Sequence, residues 1–336
     1  MKYRPSRLEE LVGNEESVNT LRRLALSRNV PHLLLYGPSN SGKATAAFAL
    51  ANEIYGEGSE RNFTYFNASD FFDNGKSYLV RDKRFTRILG TDDPRKIQKS
   101  VISVFKEIIN EYASMAPIDS DYKIIFIDSS ETLDTNAQHA LRRIMEKYTT
   151  TCRFILSTTQ PSRLIAPLRS RGLQLFFRHV SDEKLADFIK HIAETEGFLI
   201  TEDGVQALLY HSRGNVATSL NTLQVAVILS NGEPIGAQAI YTAAVREEVG
   251  DVRLLYEAAT VGNIIEARKF IDRMLVDYGF TGNEILERLH KIVAGSGEPE
   301  QRIARWNIKI ADANFKMLQA ANDRIQLEAL VTDFCN

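Results

Sequence analysis

The sequence predicts an α/β fold built on a parallel sheet, followed by segments that are helical throughout. Three observations carry the prediction. A short apolar run, "HLLLY" (His32–Tyr36), enters a glycine-containing loop, "GPSNSGKA", and leaves it as a helix. Further apolar runs of strand length then alternate with helical patterns, which is the order of a doubly wound domain. Beyond residues 160 to 180 no strand pattern returns.

Taken in order, Ala47, Leu50, Ala51 and Ile54 follow the loop at helical spacing until Gly56 stops the helix. "FTYFNAS" (Phe63–Ser69) reads as the second strand. The polar stretch from Asp73 to Lys96 is the least periodic part of the chain and reads as a surface insertion or loop. A helix is expected over Arg95–Tyr112, with Ile97, Val101, Val104, Phe105 and Ile108 as its apolar positions. "KIIFIDSSE" (Lys123–Glu131) is a third strand, continuously apolar as in a parallel sheet covered on both faces. The next helix, Thr135–Tyr148, gathers Ala137, Leu141, Ile144, Met145 and Tyr148 on one face. "CRFILSTT" (Cys152–Thr159) and "LQLFF" (Leu173–Phe177) complete the strands. Three helical patterns of similar length with glycine stops run to about residue 230. After "NGEPIG" a third, all-α region begins. The expected boundaries are 1–165, 166–230 and 231–336.

Composition narrows the class. The chain has 336 residues, of which 44% are hydrophobic and 25% charged, and a formal charge of -2. These are the proportions of a soluble globular protein, so only local charge can speak for nucleic acid. Two cysteines, Cys152 and Cys335, without C-x-x-C spacing exclude a disulfide framework and a cysteine-built zinc site. "MKYRPSRLEEL" is charged where a signal peptide needs an apolar run, and the weakly charged stretch Val225–Val245 is broken by "NGEPIG", so no membrane span is expected.

The loop Gly37, Pro38, Ser39, Asn40, Ser41, Gly42, Lys43, Ala44 fits G-x-x-x-x-G-K-[ST] in all but its last position. In such a loop backbone amides cradle phosphates, the lysine neutralises their charge, and the final hydroxyl coordinates magnesium. Ala44 has no hydroxyl, so the loop should hold the phosphates of ATP or ADP and manage magnesium poorly. Asp128, at the end of the third strand, is placed to hold that metal. Where a glutamate would activate water, Ser129 stands, a poor base near neutral pH. Glu131 would have to reach back to replace it.

The segments "KYRPSRLEELVGNEE", "NVPHLLLYGPSNSGK", "NASD", "APIDSDYKIIFIDSSETLDTNAQHALRRIMEKYTTTCRFILSTTQPSRLIAPLRSRG" and "ANDRIQLEA" together resemble the small subunits of replication factor C, the archaeal and eukaryotic clamp loader of the AAA+ class. The resemblance spans nearly the whole chain and is nearest the archaeal form, with Phe71–Lys96 longer than the family's equivalent. It implies an AAA+ domain, a helical lid and a helical collar. It also implies a partnership with other loader subunits, a sliding clamp and primer-template DNA, in the cytoplasm or nucleoid, or the nucleus of a eukaryote. Carried over residue by residue, the resemblance adds Val12 to the nucleotide site. It also marks four losses: the P-loop threonine is Ala44, the "D-E-A-D" glutamate is Ser129, the sensor 1 asparagine is Thr159, and the sensor 2 arginine is Ala217. Turnover by this chain should therefore be weak or absent. What the resemblance retains is Arg171 of "S-R-G", the arginine finger that reaches a neighbour's ATP site, although Gly172 replaces the family's cysteine.

Basic residues from Arg142 onward (Arg142, Arg143, Lys147, Arg153, Arg163, Arg169, Arg171 and Arg178) are opposed only by Glu146. That is a local field suited to DNA phosphates. The resemblance singles out Arg142 and Arg143 for that contact. It places clamp contact on the face holding the Arg95–Tyr112 helix, and Tyr78, Phe85 and Ile88 of the insertion are candidates to add to or alter it.

Overall fold

Alternation of side chains along short strands sets the centre of the fold. The computed structural model of the chain describes residues 2–72, 75–247, 250–277, 280–317 and 322–334; Cys335 lies outside them. Strands β1 (Leu33–Tyr36), β2 (Phe63–Asn67), β3 (Lys123–Asp128), β4 (Cys152–Thr158) and β5 (Leu173–Phe176) form one parallel sheet in the order β2-β3-β4-β1-β5. Each lies within an apolar run that predicted a strand. Leu33, Leu35, Phe126 and Ile155 are buried on one face, and Leu34, Ile125, Phe154 and Leu156 on the other. Successive side chains point to opposite faces, so a sheet covered on both sides needs strands that are apolar at every position.

Helices α1 (Glu15–Ser27) and α2 (Lys43–Tyr55) cover the first face. After the single turn α3 (Ser59–Asn62), the second face is covered by α4 (Ala68–Phe72), α5 (Gly75–Arg81), α6 (Thr86–Leu89), α7 (Val101–Ser114) and α8 (Thr135–Lys147). Helix α7 starts six residues later than its apolar spacing suggests. Ser100 caps it by accepting from the Ser103 amide at 3.2 Å, while Pro94–Lys96 forms a separate 3-10 turn capped by Asp93.

The insertion corrects a sequence expectation. It is not a surface loop: Phe71, Leu79 and Phe85 are fully buried and join the core of the second face with Phe66 and Phe105. Phe71 lies against Phe105 and Phe85 at centroid distances of 5.4 Å and 5.5 Å. Phe85 is therefore unavailable for clamp contact. The short helices leave no room for a helical period, which is why spacing misses them.

Past β4, the turn α9 (Ala166–Arg169) leads into β5, and α10 (Asp182–Glu196), α11 (Glu202–Ser212) and α12 (Val216–Ser230) follow. Contacts divide the chain into two units, Met1–Asn221 and Thr222–Asn336. The second unit contains α13 (Ala237–Glu247), α14 (Gly250–Thr260), α15 (Ile264–Asp272), α16 (Gly282–Ala294), α17 (Glu300–Met317) and α18 (Asp323–Phe334). Its core is centred on Trp306, which stacks on Phe334 at 5.3 Å and meets Tyr256 edge-on at 5.5 Å. Among the described residues no helix is long and apolar enough to cross a membrane.

Candidate nucleotide site

The loop lies at the C-terminal ends of the strands, where open α/β sheets bind their ligands. Gly37 has φ 147°, and a Cβ there would sit 1.9 Å from the Phe177 carbonyl oxygen. Gly42, at φ 92°, opens α2. The glycines are thus required by backbone approach and by left-handed conformation. Lys43 is buried, and its Nζ donates to Gly37 O at 2.9 Å, Pro38 O at 2.6 Å and Ser41 Oγ at 3.4 Å. Burial pushes its pKa down, while the fields of Asp128 and Glu131 oppose that shift. Next to the loop, Asn14 donates to Ser41 O at 3.4 Å and Leu11 lies against Gly42, so the half-buried Val12 between them is part of the loop's surroundings.

Asp128 ends β3 in register with Asn67 of β2, and its carboxylate accepts from the Ser129 amide at 2.9 Å. Ser129 adopts a left-handed φ of 52°, which turns the chain into a 3-10 turn over Ser130–Thr132. That turn carries Glu131 to the end of β4, where Thr159 donates to Glu131 Oε1 from its hydroxyl at 2.6 Å and its amide at 3.3 Å. Burial raises the Glu131 carboxyl pKa, but hydrogen bonds from Thr159 and Thr158 outweigh it and leave the group below its ordinary range. The structure thereby brings together Lys43, Asp128, Glu131 and Thr159. The reach of Glu131 depends on one left-handed serine, a feature spacing alone does not reveal.

The residues suit a phosphate chain: Gly37 and Gly42 leave the loop backbone without side chains at those positions, and Lys43 supplies a cation beside it. For magnesium the donor set is thinner. Ala44 offers only a methyl group, leaving the Asp128 carboxylate at the end of β3 as the metal candidate. Ala217 lies exposed in the first turn of α12 and contributes no charge.

Arg171 sits elsewhere. Leu173 pairs with Leu33 at the start of β1, so Arg171 lies at the N-terminal rim of the sheet, opposite the loop. From Leu33 to Gly37 alone a strand rises roughly 13 Å. The half-buried guanidinium donates to Pro167 O at 2.8 Å and to Glu146 Oε1 on α8. Gly172 is pressed against β1: a Cβ would come within 3.2 Å of Leu33 C and Leu34 N. A side chain at this position would therefore press on the β1 backbone.

The two candidate DNA-contacting arginines differ. Arg143 is exposed on α8 with His139 and Lys147 along the same outer stripe, and has no ion pair among the described residues. Arg142 is half-buried and turned towards Glu146, 3.5 Å away. Arg153 is held by neighbouring backbone and a ring. Its Nε donates to Val30 O at 2.7 Å, another guanidinium nitrogen reaches Thr149 O, and the group lies 4.8 Å over the Tyr122 ring.

Family models match the chain at two places: the ATPase family associated with various cellular activities (AAA) over residues 33–180, and the replication factor C C-terminal domain over residues 250–333. The replication factor C small subunit of Archaeoglobus fulgidus is 37% identical over 331 residues, covering 98% of this chain and 94% of the relative. That of Methanosarcina barkeri is 35% identical over 343 residues, covering 99% and 94%. Among solved structures, the Thermotoga maritima RuvB Holliday junction branch migration motor superposes with a TM-score of 0.53 at 18% identity over 86% of each chain, a likeness of fold alone.

Proposed function

This chain belongs to the replication factor C small subunit family, and from that premise we propose that it is a clamp-loader subunit which hydrolyses ATP weakly or not at all and lends Arg171 to a neighbouring subunit's nucleotide site. Its partners in this reading are the other loader subunits, the sliding clamp and primer-template DNA. Residues 1–165 act as the AAA+ domain, 166–230 as the lid and 231–336 as the collar.

The observation that carries the reading is the separation of the two rims. Arg171 is too far from its own phosphate loop to assist there, whereas a guanidinium at a subunit boundary can stabilise transition-state charge across it. Bound nucleotide would supply the phosphates, held by the amides of residues 37–43 and by Lys43, with Val12 beside the base and Asp128 facing any metal. Ser129 and Thr159 lack the carboxylate and amide that would activate and polarise water. To reach a neighbour's phosphate, Arg171 must exchange Glu146 for it. Arg143 of α8 meets DNA phosphates, with Arg142 behind it.

A second reading is favoured by one observation. Glu131 lies in the site, and its Oε2 is buried without a hydrogen-bond partner among the described residues, so it retains an acceptor that could take a proton from water. Steady-state ATPase of the purified chain separates the two. Turnover at or near background supports the proposal. Turnover that Glu131→Gln abolishes establishes an active subunit with Glu131 as its base. Failure to co-purify with other loader subunits would contradict both.

A further inference from the structure

We propose that residues 75–99 form a second nucleic-acid contact, a rigid basic platform that takes the phosphate backbone of DNA independently of α8. This stretch contains eight Lys and Arg residues against three Asp, within a chain whose formal charge is -2. The asymmetry sharpens once the partners are followed. Asp82 is tied to Arg84, whose Nε lies 3.0 Å from its carboxylate, and it also caps the 3-10 turn Lys83–Phe85. Asp93 caps the turn Pro94–Lys96 by accepting from the Arg95 amide at 2.9 Å. Two of the three acids are thus committed to local structure.

Among the cations, Lys76 donates to Ile97 O, Arg87 pairs with Glu111 and Lys99 with Glu107, both acids lying on α7. Arg81, Lys83, Arg95 and Lys96 remain, all exposed and without an ion pair among the described residues. Helix α5 packs against both 3-10 turns, so the four belong to one folded piece.

Two features select DNA over a protein partner. The platform is rigid, because Phe71, Leu79 and Phe85 anchor it in the core and Arg84 lies over the Phe66 and Phe85 rings at 5.5 Å and 5.4 Å. It also presents no large exposed apolar side chain: Tyr78, Val80, Ile88 and Leu89 are all packed inward. Protein interfaces are anchored by buried aromatic and aliphatic groups at their centre. A polar, cationic surface lacking such anchors fits a phosphate backbone, which is bound through charge and counterion release.

The test is fluorescence anisotropy of a labelled primer-template duplex titrated with the full chain over a series of salt concentrations. Four chains are compared: unaltered, Arg81→Gln/Lys83→Gln/Arg95→Gln/Lys96→Gln, the same four positions changed to Glu, and Arg143→Ala. Circular dichroism verifies that each is folded. Removing four phosphate contacts should lower the slope of log affinity against log salt by about 2 to 4 and weaken binding at least about tenfold near physiological salt. The Glu version should be weaker than the Gln version. Loss of binding in Arg143→Ala with none in the platform variants overturns this proposal and leaves the loader reading standing. If the unaltered chain binds no duplex, both fail for the isolated chain. If the platform variants keep the duplex but lose the sliding clamp, the partner is a protein and the proposal is wrong.

Discussion

The two rims of the central sheet differ in what their side chains do. At the C-terminal rim the phosphate loop is fixed by its glycines, residues 44, 129 and 159 are alanine, serine and threonine, and Lys43 bonds the loop's own carbonyls. At the N-terminal rim the polar groups are tied to one another. His32 Nδ1 accepts from the Phe154 amide at 3.0 Å, Arg153 grips Val30, and Glu146 lies between Arg142 and Arg171. A glycine loop is held by steric demands that persist without turnover, so its survival says little about catalysis. Side chains decide that question, and the proposal assigns the catalytic contribution to Arg171, at the rim that faces away from the chain's own loop.

The largest expected effect breaks the comparison at the arginine rim. In an assembled ring, Arg171→Ala should slow hydrolysis at the site it serves by about 10³-fold or more. Steady-state ATPase with DNA and clamp present reads this, and an unchanged rate would reduce the rim to a structural device. Next, Gly37→Ala should cost about 2–4 kcal/mol, because a side chain must displace the Phe177 carbonyl and adopt an unfavourable φ. Denaturant unfolding measures it; a cost within the noise would mean that the loop is not held by geometry.

A third test is a pH profile. Burial, with the fields of Arg153 and Arg171 opposed by a hydrogen bond to Met145, depresses the His32 pKa to about 4. The unfolded chain therefore takes up this proton before the folded one does. The stability it confers is present above pH 6.5 and is lost as pH falls towards the folded value. From about pH 7 to about pH 5 roughly 2 kcal/mol should go. His32→Gln should flatten that slope, and an unchanged slope would remove His32 from the explanation. The smallest effect is at Glu146→Gln. The pair is partly exposed, so stability should change by less than about 1 kcal/mol. Ring ATPase should nonetheless shift, because Arg171 loses its resting partner.

Much of the fold is legible from residue pattern. The five strands are short apolar runs beside turn residues, and a parallel sheet buried on both faces makes such runs conspicuous. The insertion is not legible, since Phe71, Leu79 and Phe85 sit on separate short elements with no common period. The phosphate loop and Asp128 follow from motif spacing. The position of Glu131 does not, because it depends on the left-handed Ser129. Nor does the diversion of Arg153 onto backbone carbonyls and the Tyr122 ring, because charge in a sequence carries no direction. That Arg171 lies at the rim opposite the loop follows from the pairing of β1 with β5, a non-local fact.

The central claim is that this subunit's own site is idle while its arginine works for another. It is tested most directly by rings in which only this subunit carries Lys43→Ala, assayed for DNA-stimulated ATP hydrolysis beside rings in which it carries only Arg171→Ala. Near-full hydrolysis with Lys43→Ala and a deep loss with Arg171→Ala is the predicted result. Loss with Lys43→Ala and none with Arg171→Ala would contradict it.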